Sequence, residues 1–479
     1  MLECILFNYG SEPTARVRNL GVYRIASFLR EHGWSVEVID FLRHWSVEER
    51  QTLLKSRITK NTKFIGLSFL FASWNDDLEL FCSNFKKDYS NIPIIVGSGA
   101  RMETKSACVD YNISGFGERG LLDLLKYLFS NGPCPSFTLS TNMGKHIDAN
   151  SFYPAYPLKS LMVRYEDRDF LDPNEWLTIE LSRGCKFQCD FCNFPVLGVK
   201  GDYSRDGEDF RLQMQETYDK YGIKHYSVSD ETFNDRTEKI TKFANEVEKL
   251  SFTPFFTGFV RADLAISRPV DREELLRMNF LGHYYGIESF NHITAKTIGK
   301  GMHPDRVKSG LLELRNYFEN NGSKRYRGSI SLIAGLPHET KDDLADSLSW
   351  LKVNWQGHAF TMHPLSIQTS DLAYPSKISA NYEKYGYRNL GQTNMRDIIE
   401  MFWENDHMSF SESVELTNKV KMLYQDPNLD FRLSSWAIAT MGGVGDLDQL
   451  LSLRKSQEPM LCDLSQKLFE DYKHKKLSL

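Results

Sequence analysis

Three cysteines lie within eight residues of the chain, in the spacing Cys185-x3-Cys189-x2-Cys192. Thiols this close can form a disulfide, hold a metal ion or do no chemistry, but a disulfide would leave one of the three unpaired. Structural zinc takes four ligands, and no second Cys-x2-Cys or histidine pair follows. An iron–sulfur cubane normally takes four thiolates, so three leave one iron open for a substrate or cofactor. The spacing therefore favours a three-thiolate cluster, with zinc and a chance spacing as the alternatives.

The sequence before the cysteines predicts where the thiols lie. Trp176–Leu181 is typical of a strand, and Ser182-Arg183-Gly184 ends it. The thiols are therefore expected on a loop at the carboxyl end of a strand. In barrels and open α/β sheets, active sites are built at that end.

An aromatic residue, Phe191, stands directly before the last thiol. With it, the motif resembles the signature of radical S-adenosylmethionine (SAM) enzymes. The resemblance implies a [4Fe-4S] cluster on Cys185, Cys189 and Cys192, with SAM bound at the open iron. It further implies cleavage of SAM to methionine and a 5′-deoxyadenosyl radical, and an external electron donor of the flavodoxin or ferredoxin type.

The region around the motif alternates strands and helices. Six strand–helix units predict a parallel sheet, and six such units fit the partial (β/α)6 barrel of the radical SAM core. The predicted strands are Trp176–Leu181, His225–Val228, Phe255–Val260, His283–Ile287, Ser329–Ile333 and Phe360–Pro364.

Charged residues follow the second and third strands of this core. Asp230 and Glu231 resemble the acidic segment that class B radical SAM enzymes place near the amino group of SAM. Arg261 is suited to pair with the carboxylate of SAM. Two structural alternatives remain open: a helix cap with an acid in its first turn, and an ion pair between Arg261 and Asp263.

The next two strand ends also resemble family motifs. The fourth strand ends in G-I-E-S, whose glutamate, here Glu288, is expected near the SAM ribose. The fifth runs into I-A-G-L-P-H-E-T, which resembles I-x-G-L-P-G-E-T and assigns Ile333 and Gly335 to the adenine. His338 stands where the family motif has glycine, so a different turn is expected there.

Residues 1–140 alternate strands and helices as well, and this pattern predicts a doubly wound parallel sheet. Gly115–Gly120 matches the dinucleotide motif G-x-G-x-x-G. That motif belongs to the first strand–helix turn, with an acid about 20 residues later. Here it falls in the last unit and position 140 is serine, so a nicotinamide or flavin site is not favoured.

The same domain resembles the cobalamin-binding domain that precedes the core in many class B radical SAM enzymes. The matching segments are Ile65–Ser68, Val96–Ala100 and Gly115–Glu118. The residues that this resemblance assigns to cobalamin are Ser68, Gly97, Gly99 and Gly117. The histidine of the motif D-x-H-x-x-G is absent after the first strand, so no lower axial histidine is expected. Bound cobalamin and a domain without it both remain open, and the glycines also suit tight turns.

Four regions are predicted: residues 1–140, a proline-containing linker at 141–175, the radical SAM core at 176–370, and a mostly helical C-terminal cap at 371–479. In the cap, helices are predicted over Met395–Asn405, Phe410–Leu423 and Leu461–His474.

Composition limits the function classes. The chain has 479 residues, of which 41% are hydrophobic and 25% charged, as in ordinary globular proteins. A net charge of −5 argues against a protein dominated by phosphate contacts, and no clear nucleic-acid signal is present. No secretory signal or membrane span is apparent. With five further scattered cysteines, a reducing, cytoplasmic location is expected.

The sequence predicts a radical SAM enzyme that transfers a methyl group from cobalamin to an unactivated carbon. The first alternative is a cobalamin-independent radical SAM oxidoreductase or cyclase. The second is a non-catalytic Fe–S or cobalamin-binding sensor or assembly factor, which would not need the SAM contacts around Glu288 and Gly335. The substrate is not predicted.

Overall fold

The structure is a computed structural model that describes residues 2–10, 16–68, 74–98, 106–137, 145–149, 162–194, 197–321, 324–368, 375–395 and 398–479. It contains two six-stranded parallel sheets and one two-stranded antiparallel hairpin. Within these ranges, no helix is both long and apolar enough to span a bilayer.

The first sheet has the strand order β2-β1-β3-β4-β5-β6. Its strands are β1 (Cys4–Asn8), β2 (Val36–Ile39), β3 (Phe64–Ser68), β4 (Ile94–Ser98), β5 (Tyr111–Ser114) and β6 (Lys145–Asp148). The predicted doubly wound sheet is confirmed. β6 lies within the predicted linker and pairs in parallel with β5, while the domain boundaries themselves stay a prediction.

Both faces of this sheet are buried, which explains its continuous apolar strands. Because successive side chains of a strand point to opposite faces, Cys4 and Leu6 of β1 join one core and Ile5 and Phe7 join another. The first of these cores also contains the second sheet. The two sheets are therefore packed into one continuous hydrophobic core.

The helices of the first domain are Leu20–Glu31, Val47–Arg57, Asp76–Asp88 and Gly117–Phe129. The helix Val47–Arg57 was not predicted. Its sequence signal is a capping box, in which the side chains of Ser46 and Glu49 each accept a hydrogen bond from the other's backbone N–H.

The second sheet runs in simple chain order from β7 to β12. Its strands are β7 (Trp176–Ile179), β8 (His225–Val228), β9 (Phe255–Phe259), β10 (Phe280–Glu288), β11 (Arg327–Ala334) and β12 (Ala359–Pro364). Its helices are Gly207–Tyr221, Thr237–Val247, Ala262–Ser267, Pro269–Arg277, His292–Thr297, Pro304–Asn321 and Lys341–Asn354. The six parallel strands end at one edge, as the predicted six-unit core requires.

The C-terminal region is mostly helical but contains a hairpin of β13 (Arg388–Met395) and β14 (Ile398–Glu404). The predicted helix over Met395–Asn405 is therefore wrong. Met401 and Trp403 are both fully buried and stand two residues apart, which is the period of a strand rather than a helix. The further helices are Lys377–Ala380, Phe410–Leu423, Ser435–Thr440, Leu447–Ser452 and Glu458–Ser478.

The last helix, Glu458–Ser478, packs on the first sheet. Phe469 and Tyr472 belong to the core that contains Ile5 and Phe7. The buried Lys476 ammonium lies 3.1 Å from a carboxylate oxygen of Glu37, a residue of β2. The end of the chain therefore completes the domain with which the chain begins.

Candidate active site

The three cysteines lie on a loop that follows β7, which we call the cysteine loop (residues 182–194). Backbone hydrogen bonds shape it. The carbonyl of Cys185 accepts from Gly198 N at 2.7 Å, and that of Cys189 accepts from Cys192 N at 3.0 Å. As predicted, the thiols stand at the carboxyl edge of the second sheet.

The thiol arrangement bears on the choice between zinc and a cluster. Cys185 is buried, whereas Cys189 and Cys192 are half-buried. In the described ranges, no three Cys, His, Asp or Glu side chains are grouped as ligands of a single metal ion. A cubane does not require such a group, since each thiolate binds a different iron. Burial raises the pKa of the Cys192 thiol to about 11, so a metal must displace its proton on binding.

Arg261 follows β9 and reaches the cysteine loop. Its Nη1 donates to Cys189 Sγ at 3.7 Å, and its guanidinium carbon lies 3.8 Å from the centroid of the Phe187 ring. Its Nε and Nη2 donate to Asp263 at 3.0 and 2.8 Å. The ion pair between Arg261 and Asp263 is therefore present, and it positions the Arg261 guanidinium against the Cys189 thiol.

The two acids after β8 are in different environments. Asp230 is buried, and its Oδ1 accepts from Leu181 N at 2.8 Å and from Ser182 N at 2.9 Å. It fixes the start of the cysteine loop. Glu231 is exposed, and its carboxylate has no hydrogen-bond or ion-pair partner within the described ranges. The surrounding protein and the neighbouring Asp230 raise the pKa of Glu231 to about 7.

Glu288 ends β10 in an unusual backbone conformation. Its φ of 69° is in the left-handed region, which non-glycine residues adopt at a cost. Its carboxylate lies 3.3 Å from Lys300 Nζ, which also donates to Gly286 O at 2.7 Å. Burial raises the pKa of Glu288 despite Lys300. Lys300 Nζ also lies 5.6 Å from the centroid of the Phe191 ring, so this pair adjoins the cysteine loop.

The fifth strand end is covered by the C-terminal hairpin. Ile333 is half-buried in β11. Gly335 has a φ of 94°, and a Cβ there would lie 2.2 Å from Trp403 Cη2. Close packing by the Trp403 ring thus explains why position 335 is occupied by glycine. His338 has a φ of 67°, so its backbone adopts a conformation that glycine favours although the side chain is present.

A second contact of the C-terminal region was missed by sequence reasoning. The carboxylate of Asp190, in the cysteine loop, accepts from Lys377 Nζ at 2.8 Å and from Tyr385 OH at 2.7 Å. Ile378 N donates to Asp190 O at 3.0 Å. These partners are almost 200 residues away in the chain, and no local sequence signal connects them with the cysteine loop.

A buried charge network joins the first domain to the cysteine loop, and sequence reasoning missed it too. The interdomain network consists of Arg24, Glu118, Glu180 and Arg183. Glu118 Oε1 accepts from Arg24 Nε and from Arg183 Nη2, each at 2.9 Å. Glu180 accepts from Arg183 Nε at 2.7 Å and from Arg24. Burial alone would raise the pKa of Glu118, but Arg183 and Arg24 outweigh it and hold that pKa below its usual value.

Three of the four residues assigned to cobalamin, Ser68, Gly97 and Gly117, lie at the carboxyl edge of the first sheet. Ser68 and Gly97 are paired in register at the ends of β3 and β4. Among the described residues, a Cβ on Gly97 would meet only Leu67 O, at 4.0 Å, so no described side chain fills the space beside it. Gly117 begins the helix that carries Glu118. Gly99 lies outside the described residues.

Comparisons with known proteins agree with this geometry. Residues 179–351 match the family model of the radical SAM superfamily. No curated protein sequence matches the chain.

Two solved structures share the fold. The radical SAM methyltransferase TsrM from Kitasatospora setae, with cobalamin and a [4Fe-4S] cluster bound, is 11% identical with a TM-score of 0.60, and the match covers 98% of this chain and 100% of TsrM. The cobalamin-dependent SAM radical enzyme OxsB, with aqua-cobalamin and SAM bound, is 19% identical with a TM-score of 0.53. That match covers 80% of this chain but only 56% of OxsB.

At these identities, the solved structures establish the fold alone. The superfamily match spans β7 to the helix Lys341–Asn354 and includes all three cysteines and the strand ends with Glu231, Arg261 and Glu288. Residues 179–351 therefore form a domain of the radical SAM superfamily.

Proposed function

We propose that the protein is a radical SAM enzyme in which Cys185, Cys189 and Cys192 hold a [4Fe-4S] cluster and SAM binds its open iron. The observation that carries this proposal is the contact of Arg261 with Cys189 Sγ, which brings the end of β9 onto the cysteine loop. When bound, the cluster and SAM supply a 5′-deoxyadenosyl radical that removes hydrogen from an unactivated carbon.

The open side chains at this edge fit the polar groups of SAM. Glu231, exposed and without a side-chain partner in the described ranges, is placed to accept from the SAM ammonium. Glu288, oriented by Lys300, accepts from the ribose hydroxyls, and half-buried Ile333 faces the adenine. Asp230 and Arg261 act differently, since their contacts position the cysteine loop.

We further propose that the first domain binds cobalamin and that its methyl group is transferred to the substrate carbon. The support is threefold. The strand order reverses between β1 and β3, which creates the crevice where open α/β sheets bind ligands. Ser68 and Gly97 lie at that edge. The TsrM and OxsB structures named above, which share this fold, contain cobalamin.

One observation favours a second candidate, a cobalamin-independent oxidoreductase or cyclase. The chain has no histidine between β1 and His32, so the first turn offers no imidazole ligand for cobalt. A sensor or assembly factor is less favoured, because it has no need of an open carboxylate such as Glu231 beside the cysteine loop.

SAM cleavage by anaerobically reconstituted protein tests the first proposal. With a reductant, we expect release of 5′-deoxyadenosine, and we expect the Cys189→Ala variant to lose it together with bound iron. The matched control is Cys134→Ala, which removes an exposed thiol in the first domain. Absence of release from the parent protein, or equal release from both variants, would contradict the proposal.

The absorption spectrum tests the cobalamin proposal. Protein purified anaerobically with cobalamin supplied should keep a corrinoid band after desalting. Gly97→Val, which adds a branched side chain at the end of β4, should weaken that band without loss of iron. Cluster absorption alone in the parent protein would favour the cobalamin-independent candidate.

A further inference from the structure

The C-terminal region contributes a lysine to the cysteine loop. Lys377 Nζ donates to Gln188 O at 3.2 Å and to Asp190 Oδ1 at 2.8 Å. Gln188 and Asp190 are the two chain neighbours of Cys189. One ammonium group therefore holds the chain on both sides of this thiol.

Buried neighbours fix the position of Lys377 itself. Ser376 is buried and caps the short helix Lys377–Ala380. The side chain of Ile378 is buried in the hydrophobic cluster that contains the hairpin, and its backbone N–H donates to Asp190 O at 3.0 Å. The exposed side chain of Lys377 thus extends from a packed part of the C-terminal region toward the cysteine loop.

Cys185 is held in a different way, by residues within the range that matches the superfamily model. Its carbonyl accepts from Gly198 N, and its Sγ lies 3.5 Å from Thr232 Oγ1. Lys377 and Tyr385 lie beyond residue 351, where that match ends. Their contacts with the cysteine loop therefore belong to the C-terminal region of this chain and not to the matched superfamily domain.

Charges of both signs adjoin Cys189. Arg261 Nη1 donates to its Sγ at 3.7 Å. The Asp190 carboxylate stands one residue away, where it accepts from Lys377 Nζ and from Tyr385 OH. The reduction potential of an iron–sulfur cluster depends on nearby charge, on hydrogen bonds and on solvent exposure. Removal of the cation or of the anion of this pair is therefore expected to shift that potential in opposite directions.

We propose that Lys377 is a positioning residue of the cluster site, which fixes the Cys189 side of the cysteine loop and whose charge raises the reduction potential of the bound cluster. The inference rests on the proposed cluster on Cys185, Cys189 and Cys192. On reduction, the cluster takes one electron from an external reductant and gains one negative charge, so a nearby cation stabilises the reduced form. The C-terminal region is then part of the cluster site.

The first experiment measures hydrogen exchange by mass spectrometry in the full chain, before and after cluster reconstitution. Lys377→Met should speed exchange several-fold in a peptide covering residues 186–192, where the N–H groups of Asp190 and Cys192 are hydrogen-bonded. Lys384→Met, which removes an exposed lysine of the same segment, is the matched control and should exchange like the parent protein. Equal exchange in the parent protein and in Lys377→Met would overturn the positioning role.

The second experiment measures the midpoint potential of the reconstituted cluster by anaerobic potentiometry with dithionite, followed through the electron paramagnetic resonance signal of the reduced form. Lys377→Met should shift the potential to more negative values and Asp190→Asn to more positive values, because these changes remove charges of opposite sign. The double variant should lie close to the parent protein, as should Lys377→Arg, which keeps the charge. Shifts of the same sign in both single variants, or an equal shift in Lys384→Met, would overturn the electrostatic role.

Neither experiment depends on SAM cleavage. A parent protein that shows these shifts but releases no 5′-deoxyadenosine would support the inference while contradicting the proposed reaction. A parent protein that assembles no cluster would contradict the proposed function, and the exchange data would then decide whether Lys377 positions the cysteine loop.

Discussion

The two parallel sheets of this protein present their carboxyl edges in different ways. In the first sheet the strand order reverses between β1 and β3, whereas the second sheet runs in order from β7 to β12. The first edge offers small residues, Ser68 and Gly97, with no described side chain beside Gly97. The second presents charged side chains from successive strand ends. The reversed strand order creates a crevice at the first edge, whereas the sequential order of the second sheet lines its edge with polar side chains.

The two edges also differ in how they are supported. The cysteine loop of the second sheet is held from two sides, by the interdomain network through Arg183 and by Lys377 and Tyr385 through Asp190. The first sheet is instead stabilised on one face by the last helix of the chain, through Tyr472 and Lys476. The carboxyl edge of the second sheet is therefore held by contacts on two sides. The core of the first sheet instead includes a helix from the other end of the chain.

The largest effect is expected where the two regions meet. Glu118→Ala removes one of the two carboxylates that the buried guanidinium groups of Arg24 and Arg183 share, and leaves only Glu180. Removing one partner from a buried charge pair typically costs about 3–5 kcal/mol. We expect a loss of this order in the free energy of unfolding, measured by urea denaturation, together with a cysteine loop that reconstitutes less iron.

Asp123→Ala is the matched control for Glu118→Ala, because Asp123 lies on the same helix and its carboxylate is exposed. This change should cost less than about 0.5 kcal/mol. Equal stability of the two variants would show that the interdomain network does not couple the sheets.

The second prediction concerns the edge of the second sheet. Gly335→Ala places a methyl group 2.2 Å from Trp403 Cη2 at a φ of 94°. Overpacking costs about 1–3 kcal/mol, and a left-handed alanine adds about 1 kcal/mol. Gly357→Ala isolates the second cost, since its φ is 80° and no atom lies within 4 Å of a Cβ there. Thermal unfolding should show a clearly larger shift for Gly335→Ala, and similar shifts would contradict close packing by Trp403.

The third prediction tests the dependence of the first sheet on the last helix. Lys476→Met removes the buried ammonium from Glu37, but Arg57 Nε still donates to that carboxylate at 3.0 Å. The expected loss of unfolding free energy is therefore only about 1–2 kcal/mol. The neighbouring exposed Lys475→Met should change it by less than about 0.5 kcal/mol. A loss confined to Lys475→Met would contradict this role of the helix.

Much of this architecture could be predicted from the sequence, because most of its strands and helices have a local sequence pattern. The apolar run of β1 and the capped helix Phe410–Leu423 need no distant partner to be recognised. The sequence of β14, I-I-E-M-F-W-E, is mostly apolar and does not alternate strictly between apolar and polar residues, so a helix was predicted there. The burial of Met401 and Trp403, two residues apart, distinguishes the strand from a helix.

Candidate site residues could be predicted from the sequence where they belong to a short motif. They could not be predicted where they depend on contacts between residues far apart in the chain. Cys185, Cys189 and Cys192 were predicted as cluster ligands from their spacing and from Phe191 before the last thiol, and this assignment stays a prediction. Whether Asp230 or Glu231 is available to a ligand depends on where the backbone of Leu181 and Ser182 turns, which the sequence does not state. The interdomain network depends on contacts across about 60 to 160 residues.

The smallest predicted effect separates the two acids after β8. Because the pKa of Glu231 is raised to about 7, its carboxylate is charged above pH 7 and neutral below it. A neutral carboxyl pairs weakly with an ammonium, so SAM affinity should fall about tenfold as the pH drops from 8 to 6. Glu231→Gln should bind SAM weakly and with little dependence on pH in this range, as measured by equilibrium dialysis with reconstituted protein. Glu238→Gln, an exposed acid on the next helix, should keep the parent profile, and a Glu231→Gln profile as steep as that of the parent would show that another group binds the ammonium.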